Sequence, residues 1–236
     1  MNLKYCADYN EMSQSAYESI IIDLKEHPSQ LICTATGNSP TGIYERLTRH
    51  FDKDPECFKN LSIIKLDEWG GIDSKEPSSC ESYIQEKLVQ PLRIPRARYI
   101  AFDSNPVSPE EECRRIQSEI EHKGPIDICV LGIGQNGHIG FNEPADSLIP
   151  YSHLAKLAPE SLNHQMINEL GGEPSYGLTL GMADILQSKK IILCITGAHK
   201  KEVIQKFLSK KISTWLPASF LWLHSNVTCY IDSKAI

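Results

Sequence analysis

No run of apolar residues in this 236-residue chain is long enough to span a bilayer, and its opening, MNLKYCADYNEMSQ, holds no apolar signal core. Basic runs are missing too. The adjacent lysines Lys189-Lys190, Lys200-Lys201 and Lys210-Lys211 are isolated pairs, and the formal net charge is -6, which argues against a nucleic-acid surface. None of the eight cysteines stands in a C-x-x-C spacing, so a disulfide framework or a zinc site is the weaker reading. Cys33, Cys129 and Cys194 lie inside apolar runs, where a free cysteine acts as a small hydrophobe. No repeat, linker or low-complexity segment breaks the chain. It is expected to be one soluble, cytoplasmic domain over residues 1–236, large enough to bury a core without staples.

The most informative stretch present is DICVLGIGQNGHIGFNEP, residues 127–144. Its apolar start, bounded by Gly124-Pro125, reads as a buried strand. Gly132, Gly134, Gly137 and Gly140 then let the backbone turn tightly and approach a ligand at the strand's carboxyl end. Asn136, His138 and Glu143 sit among them. A histidine and a nearby carboxylate make an acid/base set, although a polar turn that satisfies its own backbone would use the same residues.

Similar patterns recur along the chain. A helix is predicted over 13–27 and a buried strand over 31–35, which runs into Thr36-Gly37-Asn38-Ser39-Pro40-Thr41 before a helix over 43–51. A strand, a small polar loop and a helix start form an anion site, because free N–H groups and the helix dipole face the loop; an ordinary capped helix fits equally. A strand over 61–66 ends in Asp67-Glu68-Trp69-Gly70-Gly71, either a site for a base or a solvated turn. A capping box at Ser78 and Glu81 opens a helix to about Gln90. A strand over 98–102, a helix over 109–123 and the central strand over 126–133 follow. Beyond these come a helix over 161–170 ending at Gly171-Gly172, a short strand over 177–180 and a helical turn over 182–186. A strand over 191–196 then delivers Gly197-Ala198-His199-Lys200, a short apolar helix spans 217–224, and a last strand spans 227–231. Strands alternating with helices imply an α/β fold: a doubly wound, mostly parallel sheet with helices on both faces, Rossmann-like. In such folds ligands bind beyond the carboxyl ends of the strands, and the polar groups singled out all fall there.

TATGNSPTGIY, KLDEW, LGIGQNGHIGFNEP and TGAHK, in this order and spacing, resemble the glucosamine-6-phosphate deaminase/isomerase family. The phrases DICVLGIGQNGHIGFNEP and ISTWLPASFLWLHSN look closest to its galactosamine-6-phosphate isomerase (deaminase) branch. The resemblance implies an aldose–ketose isomerisation with loss of ammonia, on a small sugar phosphate, without metal or organic cofactor. By motif, Asp67 would be the base moving a proton between C2 and C1. His138, supported by Glu143 and with Asn136 beside it, would open the ring. Gly37, Asn38, Ser39, Thr41 and Lys200 would hold the 6-phosphate. A homo-oligomer is compatible with the resemblance.

Two departures stand out. Glucosamine enzymes carry an aspartate where this chain has Asn136, and an amide stabilises a protonated histidine less than a carboxylate does. The family's phosphate-binding arginine after GFNEP is missing, with His164 or Gln165 nearby. The alternatives are a glucosamine-6-phosphate deaminase, a 6-phosphogluconolactonase-like hydrolase, whose family shares the fold and a glycine-His motif, and a non-catalytic sugar-phosphate sensor.

Overall fold

The computed structural model describes residues 1–73, 75–162 and 174–236. Ten strands are present among them: β1 (Asn2–Cys6), β2 (Leu31–Thr34), β3 (Ser62–Lys65), β4 (Asp67–Gly70), β5 (Tyr99–Ile100), β6 (Ile128–Leu131), β7 (His153–Ala155), β8 (Tyr176–Thr179), β9 (Lys190–Ile195) and β10 (Val227–Asp232). Seven pair in parallel, in the order β1-β10-β9-β6-β2-β3-β5. The central strands β2 and β6 are buried at every position, as a sheet covered on both faces requires.

Alternate residues of each strand feed opposite faces. Leu31, Cys33, Ile191 and Leu193 join one core, which takes in Ile116 of the helix Pro109–Lys123 and Phe207 of the helix Lys201–Leu208. Ile32, Ile63, Val130 and Ile192 join the other, with Ile20 of the helix Tyr9–Glu26 and Ile43 of the helix Asn38–Phe51. The doubly wound architecture expected from the sequence is therefore the one observed.

The main correction lies beside the sheet. Asp67 and Glu68 are not a solvated turn but the start of β4, which pairs antiparallel with β8, and β8 with β7, in a separate three-stranded sheet. All four residues of β4 are buried.

Smaller differences concern helix starts. The first helix begins at Tyr9 because the Asp8 side chain accepts the Glu11 N–H, which leaves Ser13 buried inside the helix. The second begins at Asn38, since Pro40 is tolerated in a first turn. The capping residue of the helix Cys80–Ile84 is Ser79, which accepts from Ser82 N, while Glu81 turns to Lys65 instead of closing a box with Ser78. Most of the helix expected over 161–170, with Gly171-Gly172 and with His164 and Gln165, lies outside the described residues. No described helix is long and apolar enough to cross a membrane.

Candidate active site

The carboxyl ends of β2, β6 and β9, together with the junction of β3 and β4, open on one cavity of about 540 Å³. Asp67, His138, Gly37, Asn38, Ser39, Thr41 and Lys200 all line it. Asn136 and Glu143 are not on its wall; they stand behind His138 and hold it.

Asp67 is 7% exposed, and its Oδ1 is buried without a hydrogen-bond partner among the described residues. Burial, and then the negative charge of Glu68, push its pKa up to about 7, against the pull of His138 and Lys65. A carboxyl group that titrates near neutrality and keeps an oxygen unbonded is suited to take and return a proton.

Its neighbour Glu68 does a different job. Fully buried, it accepts the N–H groups of Trp69 (2.9 Å), Cys80 (3.1 Å) and Glu81 (2.8 Å) and pairs with the ammonium of Lys65. Lys65 is itself completely buried, and it also bonds Glu81 at 2.9 Å and the Phe102 carbonyl at 3.3 Å. Tyr99 closes the set by donating to Glu81 at 2.8 Å. Desolvation would lower the Lys65 pKa, but Glu68 and Glu81 outweigh it and raise it. On Glu81 burial is likewise overcome by Lys65, so its carboxyl is lowered. This network anchors β4 and thereby fixes Asp67.

The glycine-rich loop after β6 builds the second half. His138 Nδ1 lies 3.2 Å from Glu143 Oε2. Asn136 donates its amide to the same oxygen at 2.9 Å and accepts the His138 backbone N–H at 3.1 Å. Ser161 donates to Glu143 Oε1 and lies 3.3 Å from His138 Nδ1. Burial alone would raise Glu143, yet the bonds from His138, Ser161 and Asn136 hold its carboxyl below the usual range. With Nδ1 engaged, Nε2 is the ring nitrogen available to a ligand. Gly134 makes room for that ring: a Cβ there would fall 2.3 Å from Nε2. Gly140, at φ +56°, brings the loop against β4 and β8; a Cβ there would lie 2.7 Å from Thr179 Oγ1 and 3.5 Å from Asp67 Oδ2.

At the other end of the cavity the helix Asn38–Phe51 begins after Gly37 with no side chain capping it. Ser39 is buried at this start, and Asn38 is exposed. The Thr41 hydroxyl is turned inward, donating to the Gly37 carbonyl at 2.9 Å and meeting Tyr83 Oη at 2.7 Å. Lys200 faces this helix start from the end of β9. Among the described residues it has no carboxylate in ion-pair range, and burial lowers its pKa to about 8. A helix N-terminus and an unneutralised cation together favour an anion.

Lys65 and Ser161 do not stand out in the sequence as site residues. Lys65 has a faint signal, a lone lysine closing the apolar run SIIK; Ser161 has none, because its partners are 18 and 23 residues away in the chain.

A model of the family described as glucosamine-6-phosphate isomerases/6-phosphogluconolactonase matches residues 8–230. The protein named putative deaminase AgaI of Escherichia coli (strain K12) is 38% identical over 231 residues, covering 98% of this chain and 92% of its own. Glucosamine-6-phosphate deaminase 1 of Bacillus subtilis (strain 168) is 36% identical over 237 residues, covering 100% and 98%. Among solved structures, a monomeric glucosamine-6-phosphate deaminase superposes with a TM-score of 0.94 at 36% identity, over 100% of this chain and 98% of that one. The 6-phosphogluconolactonase of Leishmania guyanensis shares the fold, with a TM-score of 0.79 at 20% identity over 99% and 97%.

Proposed function

Since the chain belongs to the family of glucosamine-6-phosphate isomerases and 6-phosphogluconolactonases, we propose that it is an amino-sugar-phosphate isomerase/deaminase converting galactosamine 6-phosphate to tagatose 6-phosphate and ammonia. The observation that carries this reading is Asp67: a buried carboxyl tuned to about 7, sharing a cavity with a histidine–carboxylate pair.

The sugar enters with its 6-phosphate at the start of the helix Asn38–Phe51 and against Lys200. This remote contact orients the reacting carbons. His138, held by Glu143, moves the proton that opens the ring to the aldehyde. Asp67 then removes the C2 proton of the 2-amino aldose and, after the electrons shift, returns a proton to C1. The product is a 2-imino sugar with a C1 alcohol. Water adds to the imine carbon and ammonia leaves, giving the ketose. In this scheme Asn136 works through Glu143, not on the substrate.

Galactosamine is preferred because DICVLGIGQNGHIGFNEP and ISTWLPASFLWLHSN resemble that branch. The second reading, glucosamine 6-phosphate, draws on the identity to the Bacillus subtilis deaminase. A 6-phosphogluconolactonase reading draws on the shared family model, the fold and a glycine-His motif, and the solved lactonase is 20% identical. The discriminating experiment follows ammonia release from the purified protein on both amino-sugar phosphates in parallel. A higher kcat/KM on glucosamine 6-phosphate would reverse the preference, and no ammonia from either would refute the deaminase reading.

A further inference from the structure

The helix that begins at the anion subsite ends in a second cluster of chemistry-bearing groups. His50 in its last turn, Asp54 just beyond it and Cys57 in the 3-10 helix Pro55–Phe58 offer an imidazole nitrogen, a carboxylate oxygen and a thiol, all within 4.8 Å of one another. The local backbone holds them: Lys53 N and Asp54 N both bond the His50 carbonyl at 2.9 Å. The ring is clamped from behind, with Nδ1 2.7 Å from Tyr17 Oη, and flanked by Phe58, whose ring centroid is 5.9 Å away. Its other nitrogen, Nε2, faces the cluster. That atom is buried and has no hydrogen-bond partner among the described residues, and the nearest charged oxygen, Asp54 Oδ2, is 3.9 Å off.

A buried ring nitrogen left without a partner is uncommon in folded proteins, and a bound ion is one arrangement that would satisfy it. We propose that His50, Asp54 and Cys57 form a zinc site, with water as the fourth ligand. An imidazole, a thiol and a carboxylate are the donors zinc takes, at about 2.0–2.3 Å each. Two donors of these kinds on such a tetrahedron stand about 3.3–3.6 Å apart by that geometry, so the observed 3.9 Å between Nε2 and Oδ2 shortens by roughly half an ångström when the ion binds. Binding converts the Cys57 thiol to thiolate and releases its proton to water. Thiolate, carboxylate and neutral imidazole then balance the two charges of the ion. Tyr17 Oη would accept the Nδ1 proton and fix the ring's orientation, the role such outer partners play at zinc sites. Asp54 is 46% exposed, so the ion loads from solvent and keeps a water there. Zinc here clips the end of the helix Asn38–Phe51 to the following turn. That helix has 14 residues, so at about 1.5 Å per residue the clip stands roughly 21 Å from the anion subsite. Its effect falls on stability and not on turnover.

The site is tested on the full chain, stripped of metal and titrated with cobalt(II). A near-ultraviolet thiolate-to-cobalt band with the visible bands of four-coordinate cobalt is expected, displaced by zinc. Zinc at about a hundredfold over Kd should raise Tm by roughly 5 °C, with kcat unchanged. Cys57→Ser should abolish the thiolate band, and Asp54→Asn, a change at a half-exposed side chain, should weaken cobalt binding roughly tenfold or more. A spectrum without the thiolate band, or the same band in Cys57→Ser, would overturn the proposal.

Discussion

The side-chain amide of Asn136 donates to Glu143 Oε2 at 2.9 Å. An aspartate at 136 could not make that bond near neutral pH, because two carboxylates would face each other. The amide therefore supports Glu143, which in turn orients His138. Asn136→Ala should lower kcat about tenfold, the scale of one charge-assisted hydrogen bond, with KM nearly unchanged. Steady-state kinetics at saturating substrate decide it; a wild-type kcat would show that Ser161 alone suffices to hold Glu143.

Asp67→Asn should reduce kcat by ~10²–10⁴-fold, the usual weight of a positioned general base, while substrate still protects the protein thermally. Retention of near-wild-type turnover would make Asp67 a structural residue.

The same carboxyl has a stability signature of opposite sense. Its folded pKa, about 7, lies above the unfolded value of 3.8. The folded state therefore holds the extra proton, and stability is lost as pH rises from about 4 to about 7. Asp67→Asn should unfold at a higher temperature than wild type at pH 8, and this gain should shrink towards pH 4. Melting curves across that range test the sign.

For the pH dependence of kcat/KM, activity should rise through about 7 as Asp67 ionises and fall above about 8 as Lys200 loses its proton. Lys200→Ala should raise KM for the phosphorylated sugar, leave kcat within a few-fold and remove the alkaline fall. If the fall persists in that variant, another group causes it.

Lys65→Met strips the fully buried Glu68 and the partly buried Glu81 of their cation. Removing one partner of a buried pair costs about 3–5 kcal/mol, to be read from urea unfolding. Because Lys65 also lowers the Asp67 pKa, the acid limb of the rate profile should move to higher pH. A loss below about 1 kcal/mol would mean that the carboxylates take up protons or water instead.

How much of this was legible in the sequence depended on whether the signal was local. The helix Pro109–Lys123 and the turn Met182–Leu186 stand at the bounds expected from the sequence. The buried strands were found through β-branched runs, with ends off by a residue or two. Edge strand β1 was missed because its exposed positions interrupt any apolar run. β4 reads DEWG and has no strand propensity to detect; it is extended because Asp67 to Gly70 pair with β8, more than a hundred residues on. Among the site residues, those beside glycines could be picked out, whereas Lys65 and Ser161 owe their positions to distant packing. Thr41 could be placed at the cavity, but not the turn of its hydroxyl towards Gly37.

The pairing of β1 with β10 has a consequence for the order in which the molecule is completed. Among the described residues, β1 pairs with β10 alone, and all other strands of the parallel sheet come between them in the chain. On the ribosome, β1 emerges long before its partner β10 exists. Until then its N–H and C=O groups are an open edge that a neighbouring nascent chain could zip onto. The alternation of Lys4 with partly exposed neighbours keeps that waiting strand from being an apolar ribbon.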